Sequence, residues 1–263
     1  MIVMTVLTQL SVGAFTAIWA LQVFSTQSHR IAALVALLVA MLALTASTLH
    51  LGRPIYAVRA LKMWRRSWLS REVLLFTLFA GAATAYSAAL WFGLHGAGWL
   101  GALTALLGIC GVGASAKLYM VPGRPAWNSP LTIAEFASTT ALLGACGANI
   151  LTQSVQGART AVVWGLVLAF VTAGIKLLRL GRSRIHELHG SWQLLNTTFS
   201  NHLLMRFLLP CVGVALLPLG AEAWVRIAIA LLMISGEFIG RYLFFVSVVP
   251  TNMASEYLAQ EAA

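Results

Sequence analysis

Charge is missing from long stretches of this sequence, and the spacing of those stretches decides what the chain can fold into. Eight apolar blocks, at residues 3–24, 31–49, 73–92, 100–119, 131–151, 161–178, 203–219 and 224–248, each run about twenty residues. At that length an α-helix crosses the hydrocarbon core with its backbone N–H and C=O groups bonded internally. Only 9% of the residues are charged, and nearly all of them lie between the blocks. The expected fold is therefore all-α: a polytopic membrane protein, a bundle of eight transmembrane helices forming one transmembrane domain over residues 1–263. The fourth and seventh blocks carry Gly108, Gly111 and Gly113, and Pro210 and Pro218, which membrane helices tolerate where neighbours cover the freed backbone groups. The first block is read as the first helix rather than a leader, because no Lys or Arg precedes it and it exceeds a leader's apolar core. With so little chain outside the blocks, chemistry that needs a water-soluble active site falls to a partner.

Orientation follows from the distribution of Lys and Arg. Connectors on the side of both termini hold Arg53, Arg59, Lys62, Arg65, Arg66, Arg71, Lys117, Arg124, Lys176, Arg179, Arg182, Arg184 and Arg206, whereas the opposite side holds Arg30, Arg159 and Arg226. The bias places both termini, and the connector between His50 and Glu72, in the cytoplasm. The net charge of +10 has two readings: anionic lipid headgroups as counter-ions, or a surface that docks an acidic soluble subunit. Nucleic acid is not an expected partner, since no soluble module exists to carry it.

Cys110, Cys146 and Cys211 are far apart and fall inside apolar blocks, the usage of small packing residues. His29, His50, His95, His186, His189 and His202 fall at block ends or in connectors. Neither pattern supplies an iron–sulfur cluster, a zinc site or paired axial ligands for a haem, so none is expected in this chain.

The connector between the second and third blocks is the richest in chemistry. His50 and Glu72 stand twenty-two residues apart at one membrane surface, and titratable residues beside lipid usually mark function. Were residues 55–66 helical, Tyr56, Ala57, Ala60, Leu61 and Trp64 would share one arc and Arg59, Lys62, Arg65 and Arg66 the other. Such a basic segment lies in the membrane interface, either as a lipid anchor or as a landing surface for a partner.

These residues carry a resemblance. His50-Leu51-Gly52-Arg53-Pro54, the Arg-rich link and Ser67-Trp68-Leu69-Ser70-Arg71-Glu72 resemble the signature of the DmsC family, the membrane anchor subunits of dimethyl sulfoxide reductase-type molybdenum oxidoreductases. Two weaker stretches are also similar to the family: Ala116-Lys117-Leu118-Tyr119 with Arg124-Pro125-Ala126-Trp127, and Gly236-Glu237-Phe238-Ile239-Gly240-Arg241-Tyr242-Leu243-Phe244. The resemblance implies a subunit without a catalytic centre. It would bind quinone or quinol, menaquinone or ubiquinone, and pass electrons between the quinone pool and an iron–sulfur subunit that serves a molybdopterin catalytic subunit.

Within that reading His50, Gly52 and Glu72 are the quinone-binding candidates, and Arg59, Lys62, Arg65 and Arg66 the docking surface. Quinol oxidation releases two electrons and two protons, so its site needs a hydrogen-bonding partner for the quinone oxygen, suited to His50, and a proton acceptor, suited to Glu72. Gly52 permits close backbone approach. Without the resemblance, His50 reads as an interfacial histidine bonded to headgroups or a backbone carbonyl, and Glu72 as a carboxylate favoured at a helix N-terminus. Glu237 and Arg241, four residues apart on one face of the last helix, form either a structural ion pair or part of a proton path. Glu135, Lys176 and Arg206 are expected to snorkel to headgroups with no further role. A complex that oxidises sulfite and one that reduces a sulfoxide or N-oxide both fit the resemblance. The rival of another class is a secondary transporter with a midplane substrate site.

Overall fold

A computed structural model describes residues 1–24, 29–49, 63–151, 156–220 and 222–251. Among them are nine α-helices and no strand: α1 (Ile2–Phe24), α2 (Arg30–Leu49), α3 (Trp68–Phe92), α4 (Ala97–Tyr119), α5 (Pro130–Leu151), α6 (Gln156–Arg182), α7 (His186–Asn196), α8 (Ser200–Ala215) and α9 (Ala223–Val246). A 3₁₀ turn, Leu217–Leu219, extends α8. Eight spans are long and apolar enough to cross a membrane, one for each block of the sequence, and eight crossings return the chain to its starting side.

The helices close into two groups of four. In the first, α1, α2, α3 and α4 pack in sequence and α4 returns against α1. In the second, α5 packs on α6, α6 on α8, α8 on α9, and α9 returns to α5. The groups join through α1, which also touches α5 and α9, and through α4 against α5. Hydrophobic burial cannot hold helices together in lipid, so close backbone approach at small residues matters more. The crossing of α1 and α5 shows how: a Cβ on Gly144 would lie 2.7 Å from the Gly13 carbonyl oxygen and 3.1 Å from its Cα. Aromatic side chains fill the first group, with Phe15, Phe79 and Tyr86 fully buried and Phe15 edge-on to Phe79 at 5.8 Å.

Three local details differ from the sequence reading. The third helix begins at Trp68, earlier than its apolar block, because Ser67 caps it by accepting a hydrogen bond from the Ser70 N–H. The charged link after the sixth span forms α7, an unanticipated helix that buries Leu188, Ser191 and Leu195. Residues 247–251 close over this end: the Val249 N–H donates to Ser191 Oγ and the Thr251 N–H to the Gly123 carbonyl. Of the interfacial helix expected at 55–66, residues 63–66 are described and form an exposed turn instead. Its cause is local: Arg71 donates from Nε to the Trp64 carbonyl and from Nη2 to the Arg65 carbonyl, holding the turn against the start of α3. His50, Gly52, Arg59 and Lys62 lie outside the described residues.

Candidate functional site

Glu72 lies one turn inside α3 and is only 4% exposed. That position is beyond the free N–H groups of the first turn, so an end-capping role does not account for it. Its surroundings come from α4: the Ser115 hydroxyl is its hydrogen-bonding neighbour, and Tyr119 lies close enough to feel its charge. Phe76, one turn further along α3, packs on α4 where Gly111 leaves room for its ring. A carboxyl group and a hydroxyl thus face each other between two apolar helices near the end that carries the basic connectors. Arg65 and Arg66 are exposed at the same end.

Tyr119 ties this corner to the second helical group. Its ring meets Trp127 at 5.7 Å, Phe136 at 5.8 Å, Phe244 at 5.7 Å and Phe245 at 5.3 Å. The Trp127 indole N–H donates to the Phe244 carbonyl at 2.7 Å, and the Arg124 guanidinium lies 4.6 Å above the Trp127 ring. The stretches 116–119, 124–127 and 236–244, separate in sequence, therefore meet in one aromatic box. On its far side Arg241 stacks on Phe136 at 3.7 Å, a geometry that stabilises a cation away from water.

Glu237 and Arg241 both turn into the bundle, yet no ion pair joins them. Glu237 Oε2 accepts from the Thr139 hydroxyl at 2.6 Å, and Arg241 Nη2 donates to Gln9 Oε1 at 2.9 Å. Glu135, Lys176 and Arg206 do not snorkel. They converge from α5, α6 and α8, with Lys176 Nζ 2.5 Å from Glu135 Oε2 and Arg206 Nη2 3.8 Å from Glu135 Oε1. Glycine sets this geometry. A Cβ at Gly236 would strike Pro210 at 2.5 Å, and one at Gly240 would strike Arg206 Nε at 2.7 Å, so the two glycines let α8 lie close on α9 and aim Arg206 inward. Sequence reasoning missed this cluster and Gln9. The signal was there in opposite charge at similar depth: at 1.5 Å rise per residue, Glu135 and Lys176 each stand about 8–9 Å from the same end.

Among the described residues no group of three or more His, Cys, Asp or Glu could hold a metal ion. His189 stacks on Trp192 and His202 packs against Tyr242 at the basic end. A lateral cavity of about 540 Å³ opens between α1, α4 and α5, walled by small and aliphatic residues such as Gly13, Val112, Gly113 and Ala137.

Comparison with known proteins agrees with this architecture. Residues 1–246 match the family model of the DMSO reductase anchor subunit, DmsC. A sulfite dehydrogenase subunit of Allochromatium vinosum is 35% identical over 176 residues, covering 60% of this chain and 53% of that protein. The chain thus spans about half the length of this curated relative.

Proposed function

The chain belongs to the DMSO reductase anchor subunit family, and from that premise we propose that this multi-pass membrane protein exchanges electrons between the quinone pool and an iron–sulfur subunit serving a molybdopterin subunit. The observation that carries the reading is Glu72, a buried carboxyl beside Ser115 between α3 and α4, within the family's signature and next to the basic connector.

The donor set fits a quinone headgroup. A carboxyl and a hydroxyl can donate or accept hydrogen bonds to its oxygens, while Phe76 and Tyr119 supply apolar walls. Quinone, when bound, supplies a couple of two electrons and two protons. In this reading Glu72 takes or returns a proton at its carboxyl oxygens, Ser115 orients that carboxyl, and the packed helices exclude bulk water. His50 supplies the second hydrogen bond to a quinone oxygen, Gly52 lets the backbone approach, and Arg59, Lys62, Arg65 and Arg66 draw the acidic face of the electron-transfer subunit towards the site. Similarity to a protein named as a sulfite dehydrogenase subunit supports a sulfite-oxidising partner, with electrons flowing into the quinone pool. The termini and the docking surface then face the cytoplasm of a bacterial inner membrane.

Glu72→Gln tests this reading. The variant keeps the side-chain shape and removes the proton acceptor, so quinone-coupled turnover falls while assembly persists. His50→Ala loses a hydrogen bond worth roughly 1.5–3 kcal/mol, about tenfold or more in affinity for a quinone analogue. Electron transfer from a soluble dye to the partner subunits bypasses the membrane and stays at the wild-type rate in both. Normal quinone turnover in both variants would make these residues structural.

A further inference from the structure

We propose that the charged cluster of the second helical group is a proton-exchange route from the cytoplasmic end of the bundle to Glu237 in the interior of the bilayer. Glu237 lies nine residues before the end of α9, about 14 Å along the helix axis, and the hydrocarbon core is only about 30 Å thick. Burying charge at such depth is costly, and a network with a purely structural role is often replaceable by apolar side chains without loss. The arrangement here has features a scaffold does not need.

Two small cavities flank Glu135, each with a mostly apolar wall into which charged side chains are set. The outer one, about 30 Å³, is lined by Lys176 and Arg206 and reaches Ser247 and Val248 beyond the end of α9. The inner one, about 10 Å³, is lined by Thr139, Arg206, Glu237 and Arg241. Both share Glu135, Arg206 and Phe244 as wall, so the Glu135 carboxyl stands between them. A polar cavity of roughly 10–15 Å³ holds a water, and the chambers are therefore sized for one or two waters and for about one. Arg241, 4% exposed and part of the wall of the inner cavity, carries an Nε–H for which there is no acceptor among the described residues. A water in the inner chamber is the partner such a donor requires.

The route moves protons without any other bond change. Lys176 gives a proton to the Glu135 carboxylate through their direct contact, converting a charged pair into a neutral one. The Glu135 carboxyl passes its proton through water in the inner chamber to the Glu237 carboxylate, and Lys176 takes a replacement from cytoplasmic water through the outer chamber. One O–H bond is formed at Glu237 for each proton drawn from the cytoplasm. The groups facing Glu237 are Glu135, Thr139 and Cys146 from α5, Arg206 from α8 and Arg241 from its own helix, with Lys176 of α6 acting through Glu135, and Tyr119 of α4 and Gln9 of α1 through Arg241.

Infrared difference spectroscopy on the full-length chain in lipid nanodiscs tests the route without any quinone, so its failure would leave the proposed function standing. After a rapid drop in pH, a protonated-carboxyl band should appear that is absent in Glu237→Gln. Ala126→Leu, which fills the outer chamber and leaves every charge in place, should slow that band at least tenfold. Ala173→Val is a smaller plug at the same chamber, for use if the first variant does not fold. Because Glu72 and the surface glutamates also titrate, only the part of the signal lost in Glu237→Gln counts: no such part, or one that forms at the wild-type rate in the plugged variants, would overturn the route.

Discussion

At the scale of single residues, the charges inside the bilayer divide by what surrounds them. Glu72 has a hydroxyl neighbour and aromatic walls; Glu135 has two cations; Arg241 has an aromatic face and a glutamine. Removing one member of a buried pair leaves its partner uncompensated, at a cost of about 3–5 kcal/mol. Glu135→Leu is accordingly expected to lower thermal stability sharply by stranding Lys176 and Arg206, while replacing all three with Leu, Met and Met recovers most of the loss. Equal melting temperatures for the single variant and the wild type would contradict the burial of the cluster. Sequence alone exposed Glu72, Glu237 and Arg241, since each is a charge inside or beside an apolar block. Matched depth on consecutive helices was the available signal for Lys176 with Glu135, but sequence could not pair Arg241 with Gln9, because that contact joins residues 232 positions apart, and helix periodicity says nothing about which distant helices become neighbours.

Among the elements, the long helices were legible because hydrocarbon thickness fixes their length, and their ends agree with the apolar blocks to within a few residues except where a cap or charged turns extend them. The helix α7 was hidden by its charges and its brevity, although Leu188, Trp192 and Leu195 recur at the spacing of one helical face. Helix contacts depend on small residues: at the crossing of Gly13 and Gly144 a side chain meets backbone that cannot yield. Gly144→Leu should therefore destabilise the protein by at least the roughly 1–3 kcal/mol typical of overpacking, read as a lower melting temperature in detergent, whereas Gly81→Leu, where a Cβ meets nothing within 4 Å, should leave it unchanged. Reversed effects would contradict the packing of α1 on α5. Reporter fusions check the course of the helices through the membrane. Those after Gly123 and Ser183 should report cytoplasm and one after Gly96 the opposite side, and an inverted pattern would place the basic face and any docked subunit across the membrane.

For the molecule as a whole, two groups of four helices place a buried carboxyl, an aromatic box and a charged cluster near one end, beneath basic connectors, with little chain outside the membrane. This design suits a subunit that handles electrons and protons for a partner, whereas a transporter would act alone. The most direct test of that claim is purification of the tagged full-length chain from its native membranes under mild detergent, followed by subunit and metal analysis. The account predicts co-purified soluble subunits carrying molybdenum and iron, with the metals lost when those subunits are stripped by salt. A chain that emerges alone, without molybdenum or iron in any associated protein, would contradict it.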